Sequence, residues 1–168
     1  DTIFTPVIRK EIRKLKTSEK DHYTVYLPSY DDDRIVKHLK KFNHTSWEVF
    51  SKHNKKPVHH KNILIKPIQG KSFLESVAAS RGILCNAGFG TTSEALYLNK
   101  KLLVIPMKSQ YEQHCNAAML KSIGVPVMKS LKSKHHDKLN DWILNGAPVK
   151  VDYPDQTAKI VDTILRNV

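Results

Sequence analysis

The residues best suited to chemistry form one short segment, NAGFGTTSE at positions 86–94. Two glycines and three hydroxyl side chains stand here, between an apolar run and a predicted helix. Gly88 and Gly90 let an anion approach the backbone, and the first N–H groups of a helix are unpaired donors in a dipole that favours negative charge. The hydroxyls of Thr91 and Thr92 would add hydrogen bonds. These features predict a phosphate-binding loop, although a tight turn with a threonine cap accounts for the same residues.

The spacing of this loop narrows the ligands that it suits. It is neither the dinucleotide fingerprint nor a phosphate-binding P-loop, so it favours neither NAD nor an ATPase. Glu94 lies one turn into the predicted helix, where its carboxylate can accept hydrogen bonds from both hydroxyls of a ribose. A glutamate that only complements the helix dipole is the alternative.

Alternating strands and helices must position this loop. Apolar runs predict strands over residues 24–28, 47–50, 62–68, 82–86, 101–107 and 125–128. Helices are predicted over residues 34–42, 72–80, 91–99, 111–123, 134–145 and 156–167, after a basic lead-in segment at residues 1–20. This order predicts an α/β, Rossmann-like three-layer domain with a mostly parallel sheet, which binds ligands beyond the carboxyl ends of its strands.

Size and composition predict one domain over residues 1–168. The chain has 28 Lys and Arg against 16 Asp and Glu, a net charge of +12, so nucleic acid, an anionic membrane or a phosphorylated ligand would each be attracted. Cys85 and Cys115 lie in apolar stretches, which favours a reducing, cytoplasmic compartment. No apolar run approaches the roughly 20 residues of a membrane span, and no signal peptide opens the chain. The first residue, Asp1, predicts a fragment of a longer protein.

A resemblance to a known family covers residues 63–127. Its motifs are NAGFGTTSEAL, then KKLLVIP, then YEQHCNAAMLKSIGVPV. They resemble the C-terminal nucleotide-sugar-binding domain of GT-B glycosyltransferases, as found in the bacterial peptidoglycan N-acetylglucosaminyltransferase and the UDP-glycosyltransferases. The combination is more specific than either part, because the glycine-rich loop with its glutamate is followed, one strand later, by Pro106 and the Glu112-Gln113 pair. The resemblance implies the C-terminal half of a GT-B fold.

The resemblance also implies which residues hold the nucleotide. The family's loop binds the donor diphosphate, and its residues match four positions here: Gly88, Gly90, Thr91 and Thr92. The family's ribose-binding glutamate matches Glu94. After the first predicted strand, Ser29 would face the phosphates from across the cleft.

The sugar and the base are matched by other positions. The pair that grips hydroxyls of the donor sugar matches Glu112 and Gln113, and Asn116 is expected to stabilise their helix. Ile68 replaces the uracil-stacking tryptophan of the plant and animal enzymes, and Asn86 replaces their phosphate-contacting histidine. We therefore expect the bacterial subtype, with the base bound by backbone groups around Ile68.

The implied activity is transfer of a hexose from a nucleotide-diphosphate sugar, UDP-linked, to an acceptor hydroxyl. This needs a base and an electrostatic clamp for the departing diphosphate. The resemblance places the base and the acceptor site in an N-terminal domain outside this chain, so no catalytic residue is assigned and the chain alone is expected to be inactive. No cofactor is expected. No metal is expected either, because adjacent histidines such as His59-His60 and His135-His136 point in different directions.

Three alternative functions remain open at this point, together with a possible location. A UDP-sugar 2-epimerase shares the architecture, but the Glu112-Gln113 pair favours transfer. A basic nucleic-acid-binding module fits the charge, Trp47 and Trp142, yet explains no motif. A non-catalytic subunit that lends its donor site to a separate acceptor-binding protein is the third. Peripheral association with the inner face of an anionic membrane, through the basic lead-in, is compatible with any of these.

Overall fold

Short apolar runs form the strands of a six-stranded sheet. In the computed structural model, which describes residues 3–166, the strands are β1 (Tyr23–Tyr26), β2 (Trp47–Ser51), β3 (Val58–His60), β4 (Ile63–Pro67), β5 (Gly82–Cys85) and β6 (Lys101–Val104). Their order across the sheet is β3-β4-β2-β1-β5-β6. All neighbouring pairs are parallel except β3 and β4, which are antiparallel. The mostly parallel sheet that the sequence predicts is therefore confirmed.

Helices connect the strands and cover both faces of the sheet. They are α1 (Lys10–Arg13), α2 (Asp32–Leu39), α3 (Gly70–Ala79), α4 (Phe89–Tyr97), α5 (Tyr111–Ser122), α6 (His136–Asn145) and α7 (Thr157–Arg166). A short 3-10 turn, Ser133–His135, precedes α6. Within residues 3–166, no helix is long and apolar enough to cross a membrane.

Alternation along the strands divides the core into two apolar clusters. Val25 of β1 and Leu84 of β5 belong to the cluster that contains residues of α2 and α6. Ile83 and Cys85 of β5 belong to the other, with residues of α3, α4 and α5. Successive side chains of a strand point to opposite faces, so the sheet is the middle of three layers. This confirms the predicted α/β, Rossmann-like fold class.

The strand order reverses beside β1. From β1 the chain builds outward through β2 to β4, then crosses back to place β5 on the other side of β1, followed by β6. In open α/β sheets such a reversal opens a crevice at the carboxyl ends of the two strands that flank it. Here the crevice lies between the loops that follow β1 and β5.

Several element boundaries differ from the predicted ones. The strand predicted at 125–128 is reduced to a single parallel bridge between Val127 and Val104. Strand β3 was not predicted, because all three of its residues are exposed and carry no apolar alternation. Helix α4 begins at Phe89, two residues before the predicted start. The end predicted for the last helix, Asn167, lies outside the described residues.

The basic lead-in segment is packed into the fold. Ile8 and Ile12 are buried in the core. The buried Lys100 ammonium donates hydrogen bonds to the carbonyls of Ser18 and Ser80, at 2.7 and 2.8 Å. The apolar residues of the segment thus add to the cluster that covers one face of the sheet.

Candidate functional site

The carboxyl edge of the sheet brings the predicted site residues to one side of the domain. Ser29 follows β1, Ile68 follows β4, and the loop at 86–88 follows β5. Glu112 and Gln113 lie in the first turn of α5, which follows β6. The four strands are parallel, so their carboxyl ends share an edge. This shared edge explains how residues more than 80 positions apart can serve one ligand.

Asn86 connects the strand ends at the crevice. Its Nδ2 donates to the carbonyl of Ile105 at 2.6 Å, and its Oδ1 accepts from Ser29 Oγ at 3.1 Å. Its backbone N–H donates to the Tyr26 carbonyl at 3.2 Å. One buried side chain therefore joins β5 to the loops that follow β1 and β6. This positioning role could not be inferred from the sequence, in which Asn86 is only a departure from the family's histidine.

The two loop glycines open onto space at the start of α4. Gly88 is the N-cap, with φ −75° and ψ 133°, a conformation that any residue adopts. A Cβ added at Gly88 or at Gly90 would meet nothing within 4 Å. Neither the backbone nor the packing of this chain therefore requires glycine here. Glycine at these positions leaves the first helical N–H groups open to close approach by a ligand.

The two threonines of this helix have different surroundings. Thr91 is half-buried at the first turn. Thr92 is buried, and its Oγ1 lies 2.9 Å from the carbonyl of Gly88 and 3.1 Å from that of Phe89. A hydroxyl has a single hydrogen to donate, so the one on Thr92 is used inside the helix. In this structure the Thr92 hydroxyl therefore closes the first turn of α4, and its expected contact with the diphosphate stays a prediction.

Glu94 forms a bidentate ion pair with Arg9 of the lead-in segment. Arg9 Nε lies 2.6 Å from Oε1, and its second guanidinium nitrogen lies 2.9 Å from Oε2. The Glu94 side chain is 11% exposed, whereas that of Arg9 is 56% exposed. Hydrogen bonding to this carboxylate raises the pKa of Arg9 above its ordinary value. The sequence offered no signal for this contact, which spans 85 positions.

The loop after β6 is organised by Gln113. Its Oε1 accepts from the Met107 N–H at 3.0 Å, and its Nε2 donates to Gln110 Oε1 at 2.7 Å. Gln113 is buried, whereas its neighbour Glu112 is exposed. The buried amide therefore shapes the loop, and the exposed carboxylate is the member of the pair that a ligand can reach.

Asn116 joins α5 to the loop after β5. Its Nδ2 donates to the carbonyl of Ala87 at 3.0 Å and lies 3.4 Å from Glu112 Oε1. The sequence predicted only that Asn116 stabilises its own helix. The contact with Ala87 is an additional role. It holds the residues that precede the two loop glycines.

Ile68 lies at the outer part of the same edge. Its side chain is 37% exposed, and its N–H donates to the carbonyl of Ser51 at 2.9 Å. The backbone donor at this position is therefore engaged within the sheet. An exposed apolar surface remains for contact with a base.

The histidines do not assemble a metal site in the part of the chain that is described. Between residues 3 and 166, no group of three or more His, Cys, Asp or Glu side chains lies close enough to hold a metal ion. His59 and His60 lie on the exposed strand β3. His136 pairs with His38 instead, with Nε2 and Nδ1 2.9 Å apart.

Comparison with known proteins places this chain in a family. The sequence matches the family described as glycosyl transferase family 1 over residues 1–146. No match was found among the curated proteins. Among solved structures, the glycosyltransferase SnogD from Streptomyces nogalater superposes with a TM-score of 0.53 and 14% identity, over 81% of this chain and 37% of SnogD.

Two further structures share the fold. The glycosyltransferase VinC, solved in complex with dTDP, gives a TM-score of 0.57 at 12% identity, over 83% of this chain and 37% of VinC. Os79 from O. sativa, solved in complex with UDP, gives 0.57 at 15% identity, over 97% of this chain and 38% of Os79. The chain thus spans well under half the length of each of these structures. The predicted GT-B glycosyltransferase domain is confirmed, and the chain belongs to glycosyl transferase family 1.

Proposed function

We propose that this chain is the donor-binding, C-terminal domain of a glycosyltransferase that uses a UDP-linked sugar. One observation carries the proposal: Gly88 and Gly90 present an unobstructed helix N-terminus at the crevice beside β1. Oriented N–H groups and the helix dipole suit a diphosphate at that position. The solved relatives VinC and Os79 are described with dTDP and UDP, which supports a nucleoside diphosphate as the ligand here.

The nucleotide would lie along the carboxyl edge of the sheet. Gly88, Gly90 and Thr91 would contact the diphosphate from α4, and Ser29 would contact it from across the crevice. Glu94 would accept the ribose hydroxyls, and Ile68 would pack against the base. Arg9 leaves room for this role, because each carboxylate oxygen has two lone pairs and the bidentate pair uses one on each.

The donor sugar would lie at the start of α5. Glu112 is exposed there and can accept hydrogen bonds from sugar hydroxyls. Gln113 would act indirectly, by holding the Met107 N–H and the loop that borders the sugar. Substitution of Glu112 would therefore remove a direct contact with the sugar. Substitution of Gln113 would change sugar selection through the position of the loop.

Transfer of the sugar would use this domain as the clamp for the leaving group. The N-terminus of α4 and the nearby hydroxyls would stabilise the charge that develops on the departing diphosphate, without a metal ion. The base that deprotonates the acceptor would come from an acceptor-binding domain outside this chain. We therefore expect the chain alone to bind donor nucleotides in a cytoplasmic setting and not to transfer hexose.

Calorimetry with UDP tests the nucleotide site. Wild-type protein should bind UDP more tightly than UMP, because UMP lacks the second phosphate. Glu94→Gln should weaken UDP binding about tenfold to a hundredfold, since hydrogen bonds to a charged acceptor contribute roughly 1.5–3 kcal/mol. Glu75→Gln, on the exposed face of α3, is the matched control and should leave affinity unchanged. Equal binding of UDP by all three proteins would remove Glu94 from the site, and no binding by any would overturn the proposal.

A further inference from the structure

A basic cavity lies next to the proposed donor site. Its volume is about 630 Å³, and it opens between the turn after β1, the loop after β6 and residues 129–132. Four of its lining side chains are cationic: Arg34, Lys108, Lys129 and Lys132. None of the described residues that line it is acidic. Four of the 28 Lys and Arg residues of the chain thus line one cavity.

The wall of the basic cavity is held in place by specific contacts. Tyr30 accepts a hydrogen bond at its hydroxyl from the Leu131 N–H, at 3.1 Å. The guanidinium of Arg34 lies over the Tyr30 ring, 4.9 Å from its centroid. Leu131 is fully buried, which anchors the backbone between Lys129 and Lys132. Arg34, Lys129 and Lys132 therefore extend from backbone that is held by packing and hydrogen bonds.

These four cations have no carboxylate partner within the described part of the chain. The salt bridges there involve other residues, such as Arg9, Lys66, Lys71 and Arg81. Like charges around one cavity repel each other, and an anionic ligand relieves that repulsion. A phosphate, with a charge of about −1.5 to −2, matches four cations better than a carboxylate with −1. Lysine ammonium groups are also well suited to phosphate as point charges.

The position of the basic cavity separates it from the donor diphosphate. It shares Ser29 with the proposed diphosphate contacts, but none of the α4 residues that would hold the diphosphate lines it. Its loop at 106–110 leads directly to Glu112, where the donor sugar would lie. An anion here would therefore lie next to the proposed sugar position and apart from the N-terminus of α4.

We propose that the basic cavity binds a phosphate group other than the donor diphosphate, carried by the acceptor or supplied as free phosphate. The inference rests on the proposed function for the position of the donor. A phosphorylated acceptor would be held by Arg34 and the lysines while its hydroxyl faces the sugar. Free phosphate would occupy the same cations as an effector of the site.

An NMR titration of the 168-residue chain tests this proposal. The probes are inorganic phosphate and glucose 6-phosphate, each with and without saturating UDP, against a chloride series of equal ionic strength. Both phosphates should shift the amide signals of residues 129–132 when UDP is bound. Tighter binding of glucose 6-phosphate assigns the site to a phosphate ester, and equal binding assigns it to free phosphate.

The variant Lys129→Gln/Lys132→Gln locates the effect. It should weaken phosphate binding on the order of tenfold and change UDP affinity less than about twofold. Lys55→Gln/Lys56→Gln removes the same charge from an exposed pair elsewhere and should leave phosphate binding intact. Loss of phosphate binding on addition of UDP would overturn the proposal by making the cavity part of the donor site. Equal weakening in both double variants would overturn it as a general charge effect. Failure of UDP to bind at all would instead count against the proposed function, while the amide shifts at 129–132 would still report on the cavity.

Discussion

Replacement of Asn86 by alanine tests how the crevice is held together. The wild-type side chain donates to the carbonyl of Ile105 at 2.6 Å and accepts from Ser29 at 3.1 Å. Ile105 is 0% exposed, so water does not reach its carbonyl without rearrangement of the loop. Asn86→Ala leaves that buried acceptor without its side-chain donor and releases Ser29 from the opposite loop.

The size of the effect follows from these contacts. A buried polar group that loses its partner costs roughly 1–3 kcal/mol, so we expect the free energy of unfolding to decrease by about 2 kcal/mol. For a domain of this length, that decrease lowers Tm by about 4–8 °C. UDP affinity should also fall, because Ser29 is no longer oriented towards the proposed diphosphate site.

Thermal unfolding followed by circular dichroism measures the first effect, and calorimetry measures the second. Ser29→Ala is the matched control, because Ser29 is exposed and its loss should cost less than about 1 kcal/mol. A Tm for Asn86→Ala equal to that of Ser29→Ala would refute the reasoning. It would mean that the Ile105 carbonyl finds another donor and that Asn86 does not tie the strand ends together.

Three further predictions concern stability and reactivity. Cys115 should react with a maleimide in the native protein, whereas Cys85 should react only on unfolding, because burial raises the pKa of its thiol to about 12. Mass spectrometry would count one label; two labels would contradict the buried position. Burial and nearby cations lower the pKa of His38 and His136 below 6.5, so the unfolded chain binds more protons as the pH falls. The urea midpoint should therefore decrease from about pH 7 to pH 5, and less steeply in His136→Gln. Lys100→Met should lower the free energy of unfolding by roughly 1–3 kcal/mol, measured in urea, because two carbonyls lose their donor; an unchanged midpoint would show that water replaces it.

Local sequence patterns predicted most elements of this fold. Strand β5 consists of four buried residues, and β6 follows the same pattern from Leu102, so each run is recognisable without knowledge of its neighbours. Strand β3 is different, since its side chains are exposed and it exists only as the partner of β4. The first turn of α4 also escaped prediction, because its start depends on how Thr92 is buried and bonded. Patterns report burial along one segment, whereas strand pairing depends on another segment and helix starts depend on local hydrogen bonds that residue types do not specify.

The sequence by itself determined the α/β class, the mostly parallel character of the sheet and the loop with its glycines and Glu94. These follow from apolar periodicity and from residue types that are close together in the chain. Tertiary structure alone decided that Arg9 pairs with Glu94, that Asn86 joins three strand ends, and that cations from three separate segments surround one cavity. Each of these contacts joins residues that only the assembled sheet and its helices bring together. Their distances and burial, and hence their effects on charge and stability, could not be inferred from spacing along the chain.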